Sequence, residues 1–210
     1  MRNHTLPTLV TAGLAATALL ASSQALAYNQ GDFITRVGVA HVDPKSNNGS
    51  LADGTIDVDV RSDTNLGFTL GYLFHDNFGV ELLAALPFKH DIRLADGALP
   101  TASTKHLPPT LTVQYYPLGG TGAQLQPYAG IGLNYTHFFS EKSELGNLEL
   151  DSSWGLAGQL GLDVRLDDNW GLNAAAWYID IDTDVSLDGN DLGKVSIDPW
   201  VFMAGISYRF

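Results

Sequence analysis

The stretch IDVDVRSDTNLGFTLGYLF, residues 56–74, decides the fold class. Almost every even position is apolar (Ile56, Val58, Val60, Leu66, Phe68, Leu70, Tyr72, Phe74), whereas the odd positions carry mostly Asp57, Asp59, Arg61, Asp63, Asn65, Gly67, Thr69 and Gly71. A period of two gathers apolar side chains on one face of an extended strand, where a helix would scatter them around its axis. After a turn at His75-Asp76-Asn77 the alternation returns, with Phe78, Val80, Leu82, Ala84, Leu86 and Phe88 on one face. The two runs predict a hairpin.

The same pattern marks 33–42, 107–116, 128–139, 153–166, 170–182 and 195–210, which brings the expected strands to eight. The connections 75–77 and 167–169 are tight, and 117–127 is somewhat longer. By contrast, 43–55, 91–106, 140–150 and 183–194 are long and polar. An even strand count with short turns on one side and long loops on the other predicts an all-β fold. It is an eight-stranded antiparallel transmembrane β-barrel, with short periplasmic turns and long extracellular loops. A soluble sandwich also alternates, but the faces argue against it. One face is large and aromatic, the other rich in Gly, Asn, Gln, Thr and charge, so a sandwich would bury unpaired polar groups. Phe74, Phe78, Tyr115, Trp170 and Tyr208 fall near the short-turn ends, where an interfacial aromatic girdle belongs.

Residues 1–27 read as a cleavable signal peptide: Arg2 is the positive end, 6–20 the apolar stretch, and Ala25-Leu26-Ala27 the small-residue cleavage site. The barrel then occupies 28–210. The apolar run is short and diluted for a spanning helix, which needs roughly 20 residues. Mean hydropathy is near neutral, as expected when apolar residues occupy alternate positions.

The formal charge of −12 makes nucleic acid an improbable partner. Acidic loops suit a solvated extracellular surface, or divalent-cation bridging to lipopolysaccharide. With no cysteine, disulfides and thiolate chemistry are excluded. His137 and Ser140 stand three apart, on opposite faces of a strand, and no matched acid accompanies the other histidines, so no catalytic residue is expected. The acids Asp180, Asp182 and Asp184 lack the glycine and terminal Glu of a calcium loop and read as a solvated edge. Neither a metal nor a cofactor is expected.

In the last strand, Trp200, Phe202, Ala204, Ile206, Tyr208 and Phe210 share one face. A terminal aromatic behind such a stripe, here Tyr208 and Phe210, looks like the signal read by the barrel-assembly machinery. Together with NFGVELLAALPFKH (77–90), HLPPTLTVQYY (106–116), PYAGIGLNYTHFF (127–139), SWGLAGQLGLDV (153–164), WYIDIDT (177–183) and DPWVFMAGISYRF (198–210), this strand makes the chain resemble the OmpW family of outer-membrane proteins, including AlkL-type importers. The loops 43–54 and 184–194 show no such match. The resemblance implies an eight-stranded barrel with a narrow hydrophobic channel for small apolar solutes, and maps the family's hydrophobic gate onto Leu83 and Trp177.

Parity alone points to the same region. Arg36, Glu81, Gln114, Gln159, Asp163 and Arg165 face inward and predict a polar plug toward the periplasm. Leu83, Ala85, Trp177 and Ile179 are inward apolar residues above it, unless they merely fill space or a bulge near Tyr178 turns Trp177 to lipid. Pro87 in one strand and Pro108-Pro109 in the next remove ladder donors near the outer end, where the wall would open sideways into the bilayer; ending strands at a loop base is the competing reading. The expected function is a passive outer-membrane channel for small hydrophobic molecules. The alternative is a non-transporting envelope barrel that serves as a structural protein or as a phage, bacteriocin or host-surface receptor.

Overall fold

The computed structural model describes residues 27–210; the segment read as the signal peptide lies, up to residue 26, outside them. In chain order the strands are β1 (Phe33–Asp43), β2 (Ser50–Leu51), β3 (Ile56–Val60), β4 (Asp63–His75), β5 (Phe78–Ala85), β6 (Phe88–Leu94), β7 (Ala102–Leu107) and β8 (Thr110–Tyr115). They continue with β9 (Leu125–Lys142), β10 (Leu148–Leu150), β11 (Ser153–Arg165), β12 (Trp170–Ile179), β13 (Asp182–Leu187), β14 (Asn190–Ser196) and β15 (Trp200–Arg209).

Eight of these close into a ring: β1, β4, β5, β8, β9, β11, β12, β15 and back to β1, every neighbour antiparallel. The seam runs from Ile34 opposite Arg209 to Asp43 opposite Trp200. Closure leaves no open sheet edge, the condition a strand must meet in hydrocarbon, where no water can satisfy a backbone N–H. Where β1 and β15 meet, Gly38 stands opposite Gly205, and a Cβ on Gly38 would lie 2.2 Å from the carbonyl oxygen of Ala204. Only glycine admits that approach.

The outward face is apolar. Ile131 is 76% exposed and Leu156 68%, and Val39, Leu70 and Leu111 also point out. In water such a surface would drive association; against lipid it is the required wall. Two aromatic belts frame it. At the short-turn end Phe78 packs between Phe74 and Tyr115, and Trp170 and Phe210 pack on Tyr208. At the other end Tyr135 meets Trp154 and Tyr178 meets Trp200. Both described chain ends lie on the short-turn side. There the N-terminal segment crosses the barrel mouth: Arg209 Nη1 donates to the carbonyl of Ala27, Gly120 N donates to that of Tyr28 at 2.7 Å, and the Tyr28 ring packs edge-on against Tyr116.

Above the wall the structure departs from the expected polar loops. β6, β7, β3, β2 and the end of β9 continue one side of the barrel upward, and β10, β13 and β14 form a second small sheet. Ala52 N donates to Leu192 O at 2.8 Å and Asn48 Nδ2 to Ser196 O at 3.0 Å, while Asn48 Oδ1 accepts from Val60 N at 2.9 Å. These bonds tie the two sheets into one crown.

The crown also corrects the strand boundaries. The alternation in 56–74 predicts one strand with a single outward face, yet the chain breaks at Arg61-Ser62, and Val58 and Val60 turn inward while Leu66 to Phe74 face out. Likewise Phe88, expected outward with Leu86, is 1% exposed: Pro87 interrupts the strand and the phase shifts across it. The expected strands 170–182 and 195–210 are each broken near the rim, at Asp180-Ile181 and Ile197 to Pro199. Once a strand is interrupted, its two parts set their parity independently.

Candidate functional site

Three layers occupy the interior. The lowest is ionic and is built around Arg36 on β1, which is fully buried. Its guanidinium donates from Nε to Asp163 Oδ1 at 3.1 Å and from Nη2 to Asp163 Oδ2 at 2.5 Å. Nη1 donates to Glu81 Oε2, and Nη2 also reaches the Tyr116 hydroxyl at 3.1 Å. Gln159 Nε2 donates to Glu81 Oε1 at 2.7 Å, and Gln159 Oε1 accepts from Thr112 at 2.9 Å and Gln114 at 3.0 Å. Asn173 Nδ2 donates to Asp163 Oδ1 at 2.9 Å, and the Arg36 guanidinium lies 4.7 Å over the Tyr128 ring. The network thus joins six strands across the lumen. Charges taken out of water persist only when paired and fully hydrogen-bonded, which this arrangement provides.

Arg165 is inward and buried but not part of that network. It stands one layer nearer the periplasm, 5.3 Å over the Tyr28 ring, and its two terminal nitrogens bond no group among the described residues. Parity found Arg36, Glu81, Gln114, Gln159 and Asp163. It missed Thr112, Tyr116, Tyr128 and Asn173, whose hydroxyls and amide complete the bonds; their inward position was legible, but their partners across the lumen were not.

The middle layer is apolar. Trp177 and Ile179 are fully buried, Leu83 nearly so, and Ala85 partly, all within the continuous apolar cluster of the interior. Leu83 lies one inward step above Glu81 on β5, and Trp177 stands opposite Gln159. Trp177 therefore points into the lumen, so the bulge that would turn it to lipid does not occur.

The top layer is a cavity of about 80 Å³ inside the crown. Val58 and Val60, Ile92 and Leu94, Phe138 and Val195 are among the side chains lining it, and no Asp, Glu, Lys or Arg does. Its signal was present in the sequence as Phe88, His90, Ile92 and Leu94, four alternate positions on β6, although the segment was read as loop from Asp91 onward.

Beside this layer the wall is incomplete. The β5–β8 ladder ends with Leu83 opposite Thr110, and the β6–β7 ladder begins with Phe88 opposite His106. In the interval between them residues 84–87 do not pair with residues 107–109, although Ala84 and Ala85 still pair with β4 and Leu107 with β9. Pro87, Pro108 and Pro109 lie in that interval; Pro87 O accepts from Asn65 and Pro109 O from Tyr135, on the far sides of the gap.

Asp180, Asp182 and Asp198 bring carboxylate oxygens within 4.8 Å of one another at the crown base, and Lys45 Nζ bonds Asp198 at 2.8 Å. Asp184, which follows Asp180 and Asp182 in the acidic run read as a solvated edge, is not in this group. Burial and the neighbouring carboxylates of Asp198 and Asp182 raise the Asp180 pKa.

A closed barrel with a lipid-facing apolar wall, two aromatic belts and short turns beside both described ends defines the class: an outer-membrane β-barrel protein. The model of the OmpW family matches residues 29–210, and the chain belongs to that family. It is 43% identical to outer membrane protein W of Vibrio cholerae, over 94% of this chain and 97% of the relative. The crystal structure of OprG from Pseudomonas aeruginosa superposes with a TM-score of 0.79 at 43% identity, covering 88% of this chain and 98% of that one. The solid-state NMR structure of AlkL in lipid bilayers superposes with a TM-score of 0.69 at 25% identity, over 100% and 97%.

Proposed function

We propose that the protein is a passive channel for small hydrophobic molecules, which enter the crown cavity, pass the apolar layer of Leu83, Ala85, Trp177 and Ile179, and leave sideways into the bilayer through the gap beside Pro87 and Pro108-Pro109. One observation carries this reading: an apolar cavity opens above a hydrogen-bonded ionic layer that fills the lumen. A solute taken from the outside into an apolar space gains by desolvation, roughly 25 cal/mol per Å² of apolar surface. It would lose that gain in the Arg36 network, so the unpaired interval at the same height is the lower-energy exit. The likeness to AlkL and OprG supports the reading at the level of architecture.

The C-terminal face that ends in Tyr208 and Phe210 points outward, where the assembly machinery can read it during biogenesis. The acidic crown faces lipopolysaccharide and its divalent cations.

The test is whole-cell uptake of a medium-chain alkane and of a polar solute, with and without the protein. Faster uptake of the alkane alone is expected. Leu83→Lys, whose ammonium can reach toward Glu81 below it, should cut the alkane rate several-fold while the barrel still assembles. Equal alkane rates with and without the protein would shift the reading to a receptor or structural barrel.

A further inference from the structure

The outer face of the crown carries a second pocket, of about 190 Å³, between β6, β7 and the end of β9. Three lysines converge on it, Lys89, Lys105 and Lys142, with Ser103 and Ser140 between them. They are three of the five lysines in a chain that has 23 acids against 11 Lys and Arg, yet no Asp or Glu lines the pocket. Unlike the cavity inside the crown, this one opens outward and polar atoms face it. All three lysines are exposed.

The register makes this cluster unfavourable on its own. Lys89 stands directly opposite Lys105 across the β6–β7 ladder, and Lys142, opposite Ser103, takes the diagonal position past the register shift in β9. Side chains directly opposite lie about 5 Å apart at Cβ, and like charges there are destabilising. Acids relieve them little. Lys89 Nζ meets Asp91 at 3.1 Å, but both side chains are 57% exposed, and an exposed pair of that kind is weak. Asp63 takes only the backbone N–H of Lys89, and Lys105 and Lys142 pair with no acid among the described residues. An anion whose several oxygens are shared among the three ammonium groups turns the repulsion into attraction, and phosphate is such an anion.

Height in the membrane says where the phosphate comes from. Lys105 pairs with Phe139, four residues beyond Tyr135 of the outer aromatic belt on β9. At about 3.3 Å per residue on a strand tilted about 40°, that is roughly 10 Å above the belt, in the head-group layer of the outer leaflet. Just below the pocket the rings of His137 and Phe139, outward on the same strand, stack with centroids 6.1 Å apart and planes 19° apart, a ledge against which a sugar ring can lie. We propose that Lys89, Lys105 and Lys142 form a direct binding site for a phosphate of lipopolysaccharide, the phosphorylated sugar lipid of that leaflet. The inference rests on the outer-membrane placement and not on the channel reading. It differs from a cation-bridged contact of the acidic crown in needing no metal.

In the experiment the full chain, folded in detergent micelles, is titrated with lipid A, with dephosphorylated lipid A and with phosphatidylglycerol, each in EDTA and again with magnesium, and binding is read by native mass spectrometry. Lipid A should bind in EDTA as well as in magnesium, and about ten-fold or more tightly than either of the other two. The combined variant Lys89→Gln, Lys105→Gln, Lys142→Gln should weaken lipid A about thirty-fold, with about five-fold from each of Lys105→Gln and Lys142→Gln alone, the scale set by a basic side chain near an anionic lipid surface. Lys45→Gln with Lys194→Gln, which removes charge elsewhere in the crown, should leave lipid A binding nearly unchanged. Equal weakening by the two sets would mean that net charge alone acts, and overturns the site. Binding lost in EDTA also overturns it and leaves the acidic, cation-bridged contact standing. Phosphatidylglycerol bound as tightly as lipid A overturns the assignment to lipopolysaccharide. Lipid A bound in neither condition overturns both lipid contacts, and none of these outcomes touches the uptake of apolar solutes.

Discussion

Arg36 does more than neutralise two acids. Its guanidinium makes four hydrogen bonds, to Asp163, Glu81 and Tyr116, so one side chain on β1 fixes the rotamers of residues on β5 and β11 and of Tyr116 beyond the end of β8. Removing it leaves Glu81 and Asp163 buried without a cation. Breaking one partner of a buried ion pair costs about 3–5 kcal/mol. Arg36→Ala is therefore expected to lower the urea midpoint for unfolding from lipid vesicles by that equivalent, and to raise leakage of a small polar solute through the loosened lumen. An unchanged midpoint and a tight lumen would show that the layer neither holds nor seals the barrel. Residues of this kind are half legible in sequence. Parity places Arg36, Glu81 and Asp163 inside, but Arg36 and Asp163 are 127 positions apart, and no local pattern says that they meet.

At the scale of strands, alternation is a reliable guide only while a strand stays in one sheet. It located all eight wall strands because each spans the lipid without interruption, and the lipid enforces a single parity across that span. It failed at Val58, Val60 and Phe88, where the chain passes between crown and wall and the apolar face switches between inward and outward across Arg61-Ser62 or Pro87. Most of the crown, β3 excepted, was read as loop because its strands are short and carry charge on their solvent face, as Asp91 and Arg93 do on β6. The interval between 84–87 and 107–109 yields a direct test. Continuing the register of Leu83 opposite Thr110 puts Ala84 opposite Pro109. In a chain with no native cysteine, Ala84→Cys with Pro109→Cys offers an oxidisable staple across the gap. Oxidation should slow uptake of an apolar solute about ten-fold or more, and a reductant should restore it. If a fully formed disulfide leaves uptake unaffected, solute does not leave by that route.

For the whole molecule, the wall and the crown are two structures held by different physics. The wall is a closed ring in lipid, interrupted only in the interval between 84–87 and 107–109, and elsewhere opening a backbone bond is costly. The crown stands in water on a small apolar interior that includes two neutral imidazoles, and its two sheets are tied at few points, Asn48 among them. Its stability should therefore depend on pH where that of the wall does not. An unfolded crown would expose His90 and His106 with ordinary imidazole pKa values near 6.5, while in the folded crown burial keeps both lower. Above that pH neither state binds the proton and crown stability is at its full value. As the pH falls below it the open state takes up protons that the closed state refuses, and the crown loses stability until the depressed folded pKa values are reached. Asp63 and Asp91 offset part of this at His90 and none of it at His106. Amide hydrogen exchange, corrected for intrinsic rates, should show opening of β3, β6 and β7 growing several-fold between pH 7.5 and 5, with β11 and β12 unmoved. His106→Phe should remove most of the difference. Acid sensitivity spread evenly over wall and crown would mean that they open as one unit, and the separation of a lipid-held barrel from a water-facing receptacle would fail.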